Sequence, residues 1–369
     1  MKLGLGLYRG LLSEDNFRFA KQAGVTHLVV HLVDYFKGVN PTLSSGPDNM
    51  GWGVTSSQDR QWSYDDLVGI KKSIESHGLV WEAIENFDPA HWYDVLLDGP
   101  KKRQQMENLK RTIQTIGRVG IPIMGYNFSI AGVWGWTKGP FGRGQAMAVR
   151  YDESRINKDM PMPNGMVWNM IYDPDAPLGT VPSISSDELW QRLEYFLSEI
   201  LPVAEESGVK LALHPDDPPA DTLRGAARLV NEPRKYQRML DLVPSDASAL
   251  EFCLGTLQEM RDGDVYESID HYGRQGKIAY IHFRNVRGKV PYYQEVFVDE
   301  GDLDMIRVIQ ILNDVGYEGV LIPDHTPEMS CAAPWHAGMA YALGYMQAAM
   351  QAVERSSFRG SLKSTASLA

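Results

Sequence analysis

Eight short apolar runs alternate with longer amphipathic stretches, a rhythm that predicts an α/β fold: a (β/α)8 TIM barrel with long rim loops and a C-terminal helical segment. Two further observations favour it. Residues of metal-ligand type end the last four runs, where barrel closure brings distant positions together. The first run, KLGLGL, lacks the GxGxxG pattern of a dinucleotide-binding sheet, which argues against a Rossmann fold.

Strands are expected at Lys2 to Leu7, His27 to Leu32, Leu79 to Glu85, Ile121 to Tyr126, Val209 to His214, Leu250 to Cys253, Ile278 to Phe283 and Val320 to Pro323. Between them, NFRFAKQAG reads as a helix ended by Gly24. SYDDLVGIKKSIESHG has acids early, lysines later and a stop at Gly78, as the helix dipole favours. Residues 102 to 120 make the next helix, and residues 185 to 208 another, opened by Ser185 as cap with Glu188 closing a capping box. After Gly338, MAYALGYMQAAMQAV predicts a closing helix. One catalytic domain is expected over residues 1–355, and the Ser-rich residues 356–369 as a flexible tail.

Two connections, residues 34 to 62 and 127 to 184, exceed simple turns and are expected to cover the rim. In AGVWGWTKGPFGRG, Trp134, Trp136 and Phe141 can wall a pocket while Lys138 or Arg143 meets an anion; a subunit-interface patch fits the same residues.

With 47 acidic against 36 basic side chains, the formal charge of -11 argues against a general nucleic-acid surface. No apolar stretch is long enough to cross a bilayer, and the start reads as a strand rather than a signal peptide. Two cysteines make no disulfide framework, so a reducing, cytoplasmic setting is expected, with homo-oligomerisation as the general expectation for such an enzyme.

The chemistry concentrates at strand ends. His214 in LALHPDDPP, Cys253 in LEFCLG, His282 in IAYIHFRN and Asp324 in VLIPDH can converge on one divalent metal, a donor set suited to Mn, Zn, Fe or Co. Asp216 and Asp217 beside His214 can orient an imidazole, bind a hydroxyl or assist proton transfer, and equally fit helix-start acids. Arg284, Asn285 and Arg287 offer donors to an acidic sugar. His325, next to Asp324, is the leading acid/base candidate. Arg9, His31, Glu85, Tyr126 and Asn127 complete the polar strand ends and are candidates for binding a polyhydroxylated substrate.

LVWEAIE at 79 to 85, GYNF at 125 to 128, VAEESGVKLALHPDDPP at 203 to 219, HFRNV at 282 to 286, GDLDM at 301 to 305, PDH at 323 to 325 and ALGY at 342 to 345 span most of the expected barrel. In these spellings the chain resembles the mannonate dehydratase family of the xylose-isomerase-like barrel group. The resemblance implies a manganese-dependent lyase that removes water from D-mannonate to give 2-keto-3-deoxy-D-gluconate. It further implies His214, Cys253, His282 and Asp324 as metal ligands, with His325 beside the reacting carbons. Gln294 and Phe297 or Val298 stand where the family usually has histidines, Ile322 where it commonly has arginine, and Ala337 near the place of its catalytic tyrosine.

The expected reaction is metal-assisted β-elimination on a sugar acid, with His325 transferring a proton and Asp217, Tyr341 or His336 as its partner. A divalent-metal sugar isomerase or epimerase, and a non-catalytic carbohydrate-binding barrel, are the alternatives.

Overall fold

The computed structural model, which describes residues 1–35, 53–55 and 61–366 with side chains as far as 356, closes eight parallel strands into a barrel in chain order. They are β1 (Lys2–Tyr8), β2 (His27–His31), β3 (Val80–Glu85), β4 (Ile123–Tyr126), β5 (Lys210–Leu213), β6 (Ser248–Cys253), β7 (Ile278–His282) and β8 (Val320–Ile322). Each falls within two residues of its expected place. Period and flanking turns suffice for this because the strands are buried and continuous in apolar character.

The intervening helices end where local chemistry stops them. Ser185 caps the helix Ser186–Ser207: its Oγ accepts from the Glu188 amide at 3.3 Å, and Glu188 Oε2 accepts from the Ser185 amide at 2.8 Å. Gly208 then closes it at φ 65°, a left-handed position where a side chain would be strained. The closing helix, Pro334–Ala366, begins before Gly338 and continues past residue 355. The expectation of a flexible tail concerns side chains outside the described residues, as does most of the connection 34 to 62.

Helices pack their apolar faces on the outside of the barrel. Its inside is filled by Val29, Ala83, Ile123, Ala212, Ala249, Tyr280, Val320 and Ile322. Ile322, at the expected arginine position, is therefore a core side chain, packed where Gly4 lacks a Cβ. Gly125 has a similar role: a Cβ there would run into the Tyr280 hydroxyl and the Glu251 carboxyl. Gly125→Ala should destabilise the protein by about 1–3 kcal/mol, the usual cost of overpacking, and urea denaturation measures it. A variant as stable as the parent would show that these two side chains can move aside.

A second sheet lies on the rim. Strands Trp136–Gly139 and Ala148–Asp152, from the long fourth connection, pair antiparallel with each other, and Ala148–Asp152 pairs in turn with Tyr292–Val296, which pairs with Asn285–Lys289. The strand rhythm of the sequence did not anticipate this sheet, because its pairing joins segments about 140 residues apart.

Candidate active site

Parallel register places the strand ends at one level. Cys253 is the partner of His282 across β6 and β7, and Tyr8 of His31 across β1 and β2. His214 follows β5 directly, and Asp324 lies two residues beyond β8. These ends open into a cavity of about 360 Å³, bounded above by Trp136, Lys138, Trp168, Trp335 and Met339.

At its floor, His214, Cys253 and His282 each place a ligand atom within 4.8 Å of the others, all buried. Asp324 is drawn to one side of this group. Its Oδ2 lies 3.4 Å from His282 Nδ1, 3.2 Å from Arg284 Nε and 3.2 Å from His325 Nε2. A thiolate, two imidazoles and an adjacent carboxylate fit a divalent metal of intermediate softness.

Electrostatics prepare the donors. Burial would push the Cys253 thiol up, but Arg284, with Nη2 3.5 Å from Sγ, and hydrogen bonds with His214 and His282 hold it well below its usual range. Burial likewise opposes charge on His214, yet Glu251 and Cys253 raise it to about 9. Burial would raise Asp324, but His325 and His282 keep it well below the ordinary carboxylate range.

A metal held by these residues would therefore have to displace protons from both His214 and His282. Because His214 is raised to about 9 and His282 well above its ordinary value, both favouring the protonated ring, metal affinity should climb as pH rises through about 9, by roughly tenfold per pH unit for each proton displaced. Chelator competition across that range, with proton release followed in weak buffer, checks this. Affinity that does not vary with pH would contradict it.

Arg284 is the hub of the site. Its guanidinium donates to Asp217 Oδ2 at 2.5 Å, Glu259 Oε1 at 2.7 Å, Glu295 Oε1 at 3.0 Å and Thr256 Oγ1 at 2.9 Å. Gly255 makes this possible, since a Cβ there would strike the arginine side chain. Asp217 borders the cavity but is saturated, accepting also from Thr256 at 3.0 Å and Tyr293 at 2.9 Å. Asp216 is a loop support, accepting from the amides of Leu229 and Val230.

His325 stands at the cavity wall with its Nδ1 2.9 Å from Glu295 Oε2, and the edge of Trp136 faces its ring. Burial opposes charge here too, but Asp324 and Glu295 raise it to about 9. His31, Glu85 and Asn127 also line the cavity, joined by Tyr8, Tyr35 and Asn86. Burial lowers His31, favouring a neutral imidazole.

Several expected contacts are not brought to the cavity lining. Trp335 and Met339 present one face of the closing helix to the cavity. His336, about 100° further round, meets Asn16 at 2.9 Å instead. Tyr341 is exposed and accepts from Arg143 at 3.3 Å. Arg9 is exposed, with Nη1 3.4 Å from the Leu32 carbonyl. Asn285 is buried against the backbone of Val298 and Leu303, and Arg287 donates to Glu300. Arg284, enclosed by four carboxylates, acts through them rather than as a free cationic fork. Tyr126 packs on Phe196. Of Trp134, Trp136 and Phe141, Trp136 lines the cavity, while Trp134 and Phe141 stack on Arg224 and Arg150.

Glu251, Glu259 and Glu295 were missed in the sequence. For Glu251 a signal existed: it lies two residues before Cys253, on the same strand face, as a carboxylate inside an apolar run.

Fold and site together define a barrel enzyme with a cluster of possible divalent-metal donors at its C-terminal rim and a histidine, His325, beside it. The family model for D-mannonate dehydratase (UxuA) matches residues 44–359. Mannonate dehydratase 2 of Halalkalibacterium halodurans is 32% identical over 276 residues, covering 72% of this chain and 79% of that protein. The mannonate dehydratase of Thermotoga maritima is 29% identical over 286 residues, 72% of this chain and 78% of that one. A crystal structure of mannonate dehydratase from Streptococcus suis serotype 2 superposes with a TM-score of 0.75 at 25% identity, covering 97% and 94% of the two chains. An L-ribulose 3-epimerase shares the fold at a TM-score of 0.55 and 14% identity, covering 98% of each chain. The chain belongs to the mannonate dehydratase family, whose members are hydro-lyases.

Proposed function

We propose that this enzyme dehydrates D-mannonate to 2-keto-3-deoxy-D-gluconate and water, and that Mn2+ is its metal. The observation that carries the reading is the cluster of His214, Cys253 and His282, flanked by Asp324 and His325, at the floor of a cavity in a chain of this family. When bound, the metal would supply charge stabilisation for the substrate carboxylate and neighbouring hydroxyl, making the C2 proton more acidic. His214, Cys253, His282 and Asp324 would hold it.

The protein's own groups supply the rest. His325, fixed by Glu295 and with its ring against Trp136, is placed to move a proton at the carbon chain. Asn127 offers hydrogen bonds to substrate hydroxyls, while His31, whose ring nitrogens face Tyr35 and Glu85, supports the cavity wall. Loss of the C2 proton and of hydroxide from C3 leaves an enol that rearranges to the 2-keto-3-deoxy acid, so the elements of one water depart. A reducing compartment suits a site that requires Cys253 as a free thiolate, which supports a cytoplasmic location.

Metal-free protein reconstituted separately with Mn2+, Zn2+, Co2+ and Fe2+ and given D-mannonate should yield the 3-deoxy-2-keto acid, identified by chromatography, fastest with Mn2+. Deuterium exchange at C2 without net loss of water would instead indicate an isomerase or epimerase. No turnover across these metals and a panel of aldonates, with the site loaded, would sink the dehydratase reading.

A further inference from the structure

Most barrel-interior positions carry Ala83, Ala212, Ala249, Val320 and Ile322, so two buried carboxylates among them call for a reason. Glu85 and Glu251 are 4% and 0% exposed and converge on one atom: Nε2 of His282 lies 3.2 Å from Glu85 Oε2 and 3.2 Å from Glu251 Oε1. The other ring nitrogen, Nδ1, faces Asp324 at 3.4 Å. His214 is held the opposite way round, with Nδ1 2.6 Å from the Pro215 carbonyl.

We propose that Glu85 and Glu251 are positioning residues that grip His282 by Nε2 from inside the barrel, so that it offers Nδ1 to the donor cluster while His214 offers Nε2. The inference rests on the metal-site reading above and adds what aims the ligands. An imidazole has two nitrogens, and a hydrogen bond at one fixes the tautomer and direction of the other. Glu85 does this for His282 by accepting the Nε2 hydrogen bond, with the Glu251 carboxyl 3.2 Å away on the same side of the ring, and a backbone carbonyl does it for His214. Gly125 belongs to the same device, since its missing Cβ leaves room for the Glu251 carboxyl and the Tyr280 hydroxyl. Glu85, although it borders the cavity, is then engaged with protein rather than substrate.

Wild-type protein labelled with 15N-histidine and loaded with 113Cd2+ tests this without any substitution. Cadmium–nitrogen coupling should appear at Nδ1 of His282 and Nε2 of His214. Coupling through His282 Nε2 would overturn the positioning role while leaving the metal reading intact; coupling from neither histidine would overturn both. Two cadmium ions per chain, falling to one in Glu251→Gln, would replace the inference with a second cation site. In a parallel series, Co2+ affinity should fall about 10–100-fold when both acceptors are removed in the Glu85→Ala, Glu251→Ala double variant. The Glu85→Gln, Glu251→Gln double variant, which keeps acceptor oxygens, should restore most of it, whereas Glu85→Met, Glu251→Met, of similar size but without acceptors, should not, a contrast that a purely space-filling role would not give. A raised KM for D-mannonate in Glu85→Gln with unchanged Co2+ affinity would return Glu85 to substrate binding and overturn its part in the proposal.

Discussion

Replacing Arg284 with methionine should destabilise the protein by about 3–5 kcal/mol, the usual penalty when one partner of a buried ionic network is removed. The guanidinium is 2% exposed and lies against Asp217, Glu259, Glu295 and Asp324. Without it, those carboxylates face one another with little water to screen them. Burial already pushes Glu259 well above its ordinary range with the arginine present, which shows how poorly this region tolerates further negative charge. Cys253 would lose the neighbour most responsible for holding its thiol down, so metal retention should fall along with stability. Urea denaturation of metal-free protein isolates the first effect. An Arg284→Met protein within about 1 kcal/mol of the parent would mean that the carboxylates neutralise by taking up protons at little cost.

His325→Asn should lower turnover by about 100-fold or more while leaving metal binding largely intact, because Asp324, not His325, is the expected ligand. The asparagine retains size and polarity but cannot carry a proton between pH 5 and 9. Glu295 fixes the histidine from the rim sheet, with Oε1 anchored on Arg284 and Oε2 on Nδ1, so His325 and the ionic hub share one carboxylate. Steady-state kinetics on variant protein of confirmed metal content give the answer. Parent-like turnover would remove His325 from the reaction.

Much of this molecule was legible from local pattern. Strands β1 to β8 show as short apolar runs, and the cap at Ser185 and stop at Gly208 follow from chemistry within a few residues. His214, Cys253, His282 and Asp324 were recognisable because a strand end in a barrel has a known destination, the C-terminal rim, however far apart the residues lie in the chain. The resemblance to mannonate dehydratases followed from the same segments.

What the sequence could not decide depends on direction and on distant pairing. Helical rotation sends Trp335 and Met339 into the cavity and turns His336 and Tyr341 away, although all four lie within seven residues. The rim sheet pairs residues near 150 with residues near 293, and from the strand Tyr292–Val296 of that sheet Glu295 reaches His325. Arg284 reads as a surface donor in HFRNV and becomes a buried hub once four carboxylates from separate segments close around it. By itself the sequence determined the barrel, the kinds of donor at its rim and the class of chemistry they allow, since these rest on periodicity and residue type. Which nitrogen of His282 faces the cluster, which carboxylates hold it and which polar residues stay outside were decided by tertiary structure alone, because they depend on side chains meeting across the barrel.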